Sequence, residues 1–242
     1  MQALWNTFLY EPLHNALVFL IGVIPGGDVG LAVIALTIIV KLVLFPLSQK
    51  SVKSQVAMRA IEPDIQKIKE EYKDDKQEQA KKTFELYKEK GVNPFSGCIV
   101  IVIQLPIIFA LYYVFYRGLT ITGENLYSFV HLPGVINTNF LGILDVTSKS
   151  LVLAILTGIS QFFQMKLATP ATPPQSPNSE KSFANDFAKS MSFQMKYILP
   201  VFIVFVSYSI SAAVALYWLT SNLFAIGQEI YVRKKFKKEA IK

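Results

Sequence analysis

The sequence predicts an all-α membrane protein: five transmembrane helices and a cytoplasmic helical hairpin. Three observations predict it. Hydrophobic residues make up 52% of the 242 residues and charged ones only 17%, where a soluble domain carries about 25% charged residues. The apolar residues are gathered into runs long enough to span a bilayer. The basic residues are concentrated in one internal segment and the C-terminal tail rather than scattered, which is how a membrane protein marks its cytoplasmic side. A mean hydropathy of +0.39 agrees.

Residues 1–28 read as an external amphipathic or interfacial segment. Leu4, Trp5, Phe8 and Leu9 share a helical face, the composition of a helix lying at the membrane surface. The apolar run 13–24 covers about 18 Å, short of the roughly 30 Å hydrocarbon core. Pro25-Gly26-Gly27-Asp28 then breaks it. The first span is 29–48, with Pro46 near its end. From 49 to 94 the character reverses. Between residues 50 and 90 stand eleven Lys/Arg and nine Asp/Glu, so this stretch cannot lie in lipid. Ile61, Ile65, Ile68 and Tyr72, then Ala80, Phe84 and Tyr87, keep helical spacing. The sequence 73–76 (KDDK) reads as a turn, and two antiparallel solvated helices are expected.

The second span is 95–117, ended by Arg117 beside a tyrosine belt. An external loop, 118–149, leads to the third span, 150–168. A Pro- and Ser-rich cytoplasmic loop, 169–194, follows. The fourth span, 195–210, and the fifth, 211–231, are joined by a tight turn. The tail 232–242 is basic. Five spans with the N-terminus outside and the C-terminus in the cytoplasm put every basic segment inside. A sixth span over 11–24 would move only the N-terminus, and its length argues against it. The single cysteine, Cys98, excludes an internal disulfide. No secretory signal is evident at the N-terminus.

Within the first span stands Lys41. A charge near the middle of a span costs roughly 2.5–3.5 kcal/mol on insertion scales. Thr37 lies one turn before it on the same face. Gln104 is the strongly polar side chain deep in the second span. Thr157, Gln161 and Gln164 form a stripe on the third. Tyr217, Ser221 and Gln228 form another on the fifth, with Trp218 and Asn222 one step around. Such residues face each other or a wet cavity, and four striped spans can enclose a hydrophilic groove. No Asp or Glu occurs in 29–61, 90–123, 146–179 or 187–228, so those stretches offer Lys41 no carboxylate. A groove with an unneutralised cation attracts an acidic group brought from elsewhere.

The plainer readings stand beside these. Lys41 lies about 10 Å from the cytoplasmic end and can snorkel. The stripes can be interhelical hydrogen-bond glue. The tail can be an orientation signal or an anionic-lipid contact, or it can bind ribosomal RNA. His14, His131 and Cys98 lack a second ligand at metal spacing. No nucleotide-binding glycine loop, nucleophile motif or metal constellation points to an enzyme or a cofactor. An ion-coupled transporter or channel would rely on intramembrane carboxylates. A purely structural assembly factor is the remaining alternative.

Several segments in order carry a family resemblance. They are TIIVKLVLFPL (37–47), IEPDIQKIKEEYKDD (61–75), LYKEKGVNPFSGC (86–98) leading into IQLPIIFALYY (103–113), and LYWLTSNLFAIGQ (216–228). Together they resemble the YidC family of membrane protein insertases, within the YidC/Oxa/Alb superfamily. The resemblance implies a groove open to cytoplasm and lipid and closed outside, in a multi-pass protein of a prokaryotic plasma membrane. It puts Lys41 at the position of the family's groove cation, usually arginine. It puts Thr37 beside it, Gln104, Leu105 and Pro106 in the second-span motif, and Tyr217 and Trp218 at the client-contacting aromatic pair. It implies nascent membrane-protein clients and a hairpin that docks ribosome, targeting receptor or Sec translocon. The expectation is a monomer that needs no cofactor and binds no DNA. Lysine keeps the charge of arginine but loses its bidentate fork.

Overall fold

The computed structural model describes residues 5–93, 96–118, 126–168 and 190–239. The expectations for residues 1–4, most of the cytoplasmic loop and the end of the basic tail lie outside them. A π-helical turn, Asn6–Tyr10, leads into α1 (Glu11–Val23), which has Pro12 in its first turn. His14, Asn15, Leu17, Val18 and Ile21 are buried on one face of α1, against α2 (Val29–Val43) and α6 (Ser96–Gly118). The short apolar run is thus docked on the bundle, with Phe19 and Val23 left exposed.

Gly26 and Gly27 take positive φ (75° and 62°), a conformation that glycine adopts without steric cost. They turn the chain so that Asp28 caps α2, accepting the Leu31 N–H at 3.0 Å. The helix stops at Val43, short of the sequence expectation of 48. The chain bends by 65° into α3 (Phe45–Ala60). The cause is Pro46, which has no N–H to donate and whose ring crowds the carbonyl four residues back. Lys41 therefore sits in the last turn of α2.

The charged segment contains three helices rather than two. α3 is a stem, and α4 (Glu62–Glu71) and α5 (Lys76–Glu89) form the hairpin. Pro63 starts α4. Asp75 caps α5 by accepting the Gln77 and Glu78 N–H groups at 3.0 Å each. Ile61, Ile65 and Val92 form a small core here with Ala57, Met58, Leu86 and Tyr87, separate from the bundle core. The ion pairs Lys67–Asp64 and Lys82–Glu85 are exposed, and such pairs are worth at most about 1 kcal/mol.

α7 (Leu151–Ala168) packs against both α8 (Ser190–Ser209) and α9 (Ala212–Glu239). Gly158 makes the close approach of α7 to α8 possible. A Cβ there would lie 2.3 Å from Val204 Cγ2, the small-residue contact common between membrane helices. Among the described residues, α7 and α8 are each long and apolar enough to cross a membrane, and the bent pair α2–α3 qualifies if counted as one span. In α6 the described apolar stretch is Gln104–Phe115.

The expectation of helices alone misses one element. Asn139–Phe140 (β1) and Leu144–Asp145 (β2) pair antiparallel in the loop between α6 and α7. Their turn uses Leu141 and Gly142 at φ 51° and 71°. Leucine is unfavourable there, but Asp28 Oδ2 holds the Leu141 N–H at 2.8 Å. Phe140 lies over Gly30, where a Cβ would come within 2.3 Å of the ring. Backbone bonds sew this loop to the helix ends. Asn137 accepts from Val29 N–H and donates to the Gly27 carbonyl, both at 2.9 Å. Ala212 and Ala213 donate to Ser148 and Val146, both at 2.8 Å.

Candidate functional site

The bend after α2 and the meeting of α2, α6 and α9 bring the polar residues of three helices to one point. Lys41 Nζ donates to Gln104 Oε1 at 2.9 Å. The other end of the same amide donates to the Tyr217 hydroxyl. Lys41 and Gln104 are half-buried, and Tyr217 is buried. Among the described residues, Lys41 makes no ion pair. Gln104 supplies a dipole and not a charge, so the cation is solvated without being neutralised.

The stripes on α7 and α9 separate into two sets. Trp218 Nε1 donates to Gln161 Oε1 at 3.2 Å, and Gln161 Nε2 donates to Gln164 Oε1 at 3.0 Å. Gln161 is buried, while Trp218 and Gln164 on either side of it are half-buried and keep contact with open space. The second set is interior. Thr157 is fully buried, and its hydroxyl donates to the carbonyls of Leu153 (2.8 Å) and Ala215 (3.2 Å). Asn222 Nδ2 donates to Ser160 Oγ at 3.0 Å, and Ser221 is buried nearby on α9. These bonds hold α7 to α9, as the interhelical reading of the stripes anticipates. Thr37 is 1% exposed, and its hydroxyl donates to Val33 at 2.6 Å. It shares a face with Lys41 but is packed rather than open. Leu105 is exposed and Pro106 half-buried on α6.

Gln228 of the predicted stripe, and the Glu229, Arg233 and Arg59 that the sequence does not single out, make a second assembly near the start of α3. Gln228 Nε2 donates to Ser48 Oγ at 2.6 Å, tying α9 to the start of α3. Glu229 is buried and pairs with Arg233 at 2.5 Å. Arg233 and Arg59 both donate to the carbonyl of Leu167. The i, i+4 spacing of Glu229 and Arg233 is visible in the sequence, whereas their meeting with α3 and α7 is not. Among the described residues, no group of three or more His, Cys, Asp or Glu is placed to hold a metal ion.

Comparison with known proteins identifies the family. The family model described as 60Kd inner membrane protein matches residues 20–239. The chain belongs to the 60Kd inner membrane protein family. Among its curated relatives, Membrane protein insertase YidC of Clostridium tetani is 34% identical over 216 residues, covering 89% of this chain and 86% of the relative. The protein of the same name in Francisella tularensis subsp. novicida is 36% identical over 214 residues, covering 87% of this chain but 33% of the relative. The chain thus spans about a third of the length of that longer relative. These relatives carry the name of an insertase rather than of an enzyme, and the family match agrees with the apolar helices in making this chain a membrane-integral protein.

Proposed function

We propose that this chain does the work of a membrane protein insertase through a hydrated, positively charged groove. In this reading α2, α6, α7, α8 and α9 are five spans of a prokaryotic plasma membrane, with the N-terminus outside and the C-terminus in the cytoplasm. The groove opens to cytoplasm and lipid, and the sewn loop closes it outside. The observation that carries the reading is Lys41 held by Gln104, a neutral acceptor, at 2.9 Å. A half-buried cation without a protein counter-charge lowers the cost of bringing a polar, acidic client segment part-way across the bilayer. No nucleotide is required. Partition of the client's apolar helix into lipid supplies the driving force, at about 25 cal/mol per Å² removed from water.

Lys41, Gln104, Gln161, Gln164, Tyr217 and Trp218 are the residues we assign to the groove wall, with exposed Leu105 at its lipid edge. Thr37, Pro106, Thr157, Ser221 and Asn222 set the shape and spacing of that wall. The hairpin α4–α5 is the docking element for ribosome, targeting receptor or Sec translocon, and the basic tail contacts anionic lipid. One copy suffices. Site-specific photocrosslinking tests the assignment. A probe at Trp218 or Gln164 captures a stalled nascent client, while a probe at Phe202, exposed on the outside of α8, does not. Capture only of stable, mature subunits at both positions would instead make the chain a scaffold.

A further inference from the structure

The outer loop presents a surface that insertion by the groove does not use. Residues 126–144 contain no Asp, Glu, Lys or Arg. Yet Phe129, Leu132, Val135, Leu141 and Ile143 are all exposed, Phe129 at 69% and Ile143, in the ribbon's turn, at 84%. In the segment at the opposite end of the bundle the exposed positions are largely Lys and Glu. The loop is tied to the helix ends. The bonds from Asn137 to Gly27 and Val29, and from Ser148 to Ala212, hold it against the first turns of α2 and α9. It runs directly into α7, whose first residues Leu151 and Val152 are themselves exposed and apolar.

We infer that residues 126–144 are seated in the lipid–water interface of the leaflet at this end, with Ile143 as the leading contact. The occupant of the surface is the bilayer itself. Its exposed apolar side chains continue the lipid-facing surface of α7, and an uncharged segment with Tyr127, Phe129 and His131 suits the interfacial zone. Seated in this way, the loop is an anchored rim around the sewn helix ends rather than a solvated connection. The inference needs α7 to cross the bilayer and does not depend on the groove.

The test uses the full chain in liposomes with Cys98→Ser, carrying Ile143→Cys labelled with an environment-sensitive fluorophore. Phe129→Cys is a second site and Thr147→Cys a control in the same loop. The expected result is blue-shifted emission at 143 and 129, quenched several-fold more by lipids with a shallow nitroxide than by aqueous iodide, while 147 behaves as in water. Water-like emission and iodide quenching at both 143 and 129 would overturn the inference. A blue shift that disappears on diluting the protein in lipid would also overturn it, because the covering surface would then be a second copy. Insertion of a client is measured on the same samples, so failure of the loop's seating and failure of the groove are read separately.

Discussion

The two ends of the bundle are held by different chemistry. At the ribbon end, main-chain bonds join Gly27, Val29 and Asn137, and Ser148, Val146, Ala212 and Ala213, with Asp28 bridging helix start and ribbon. At the hairpin end the ties are made by side chains: Arg59 and Arg233 on the Leu167 carbonyl, Glu229 on Arg233, and Gln228 on Ser48. Backbone bonds tolerate exchange of most side chains and resist salt. Side-chain ion pairs weaken when one residue changes and, where exposed, when salt rises. The difference makes the ribbon end the less sensitive of the two to single side-chain changes and to salt.

The largest expected effect of breaking this contrast falls on Asp28. Asp28→Ala removes a helix cap, worth about 1 kcal/mol, and leaves the Leu141 N–H unpaired at a further ~1–3 kcal/mol. A loss of about 2–4 kcal/mol, together with faster hydrogen exchange at Leu31 and Leu141, is expected in detergent or nanodiscs. Unchanged exchange at Leu141 would mean that the ribbon holds itself. Next comes Glu229→Gln. It leaves Arg233 partly buried without a counter-charge, at a cost of about 1–3 kcal/mol. Limited proteolysis between α7 and α9 checks this, with the cleavage rate rising and the outer ribbon unaffected. If the ribbon loosens equally, the two ends are not independent.

The smallest effect is one of pH. The Thr147 backbone N–H and hydroxyl hold the Asp145 carboxyl below the ordinary aspartate range. A depressed folded-state pKa contributes stability above the unfolded value of about 3.9, and that stability is lost as pH falls through the folded one. Exchange at Thr147 should therefore be flat above about pH 5, once corrected for the intrinsic rate, and rise on acidification below the aspartate range. Asp145→Asn should remove that rise. An identical acid response in the variant would assign it to another group.

Much of this arrangement can be read from the chain, for identifiable reasons. Apolar runs mark α6, α7 and α8 because lipid demands them, and the uncompensated Lys41 and the lone Gln104 stand out because polar side chains in a span are costly. That Gln104 meets Lys41 depends on two long side chains reaching between α2 and α6, a relation 63 residues apart in the chain. The bend at Leu44 follows from Pro46, yet its direction is set by what α3 packs against. The ribbon escapes because each strand is only two residues long and is held by Asp28, far away in sequence. Thr157 and Gln161 look alike in a stripe. One is spent on helix packing and the other reaches Trp218, a distinction made by rotation of α7 against α9.

In the proposed groove the Lys41 charge, rather than its volume or its bond to Gln104, assists a client's polar segment across. Reconstitution of the purified protein alone with a two-span client bearing an acidic translocated tail tests it directly. Lys41→Arg should insert at close to the wild-type rate. Lys41→Gln should lose about tenfold, and Lys41→Glu more, since a charge interaction at about 4 Å is worth roughly 1–4 kcal/mol in a wet environment. A client whose tail has been neutralised should show little dependence on the residue at 41. Insertion of the acidic client by Lys41→Glu at the wild-type rate, with protein levels equal, would mean that the charge at 41 has no part in insertion.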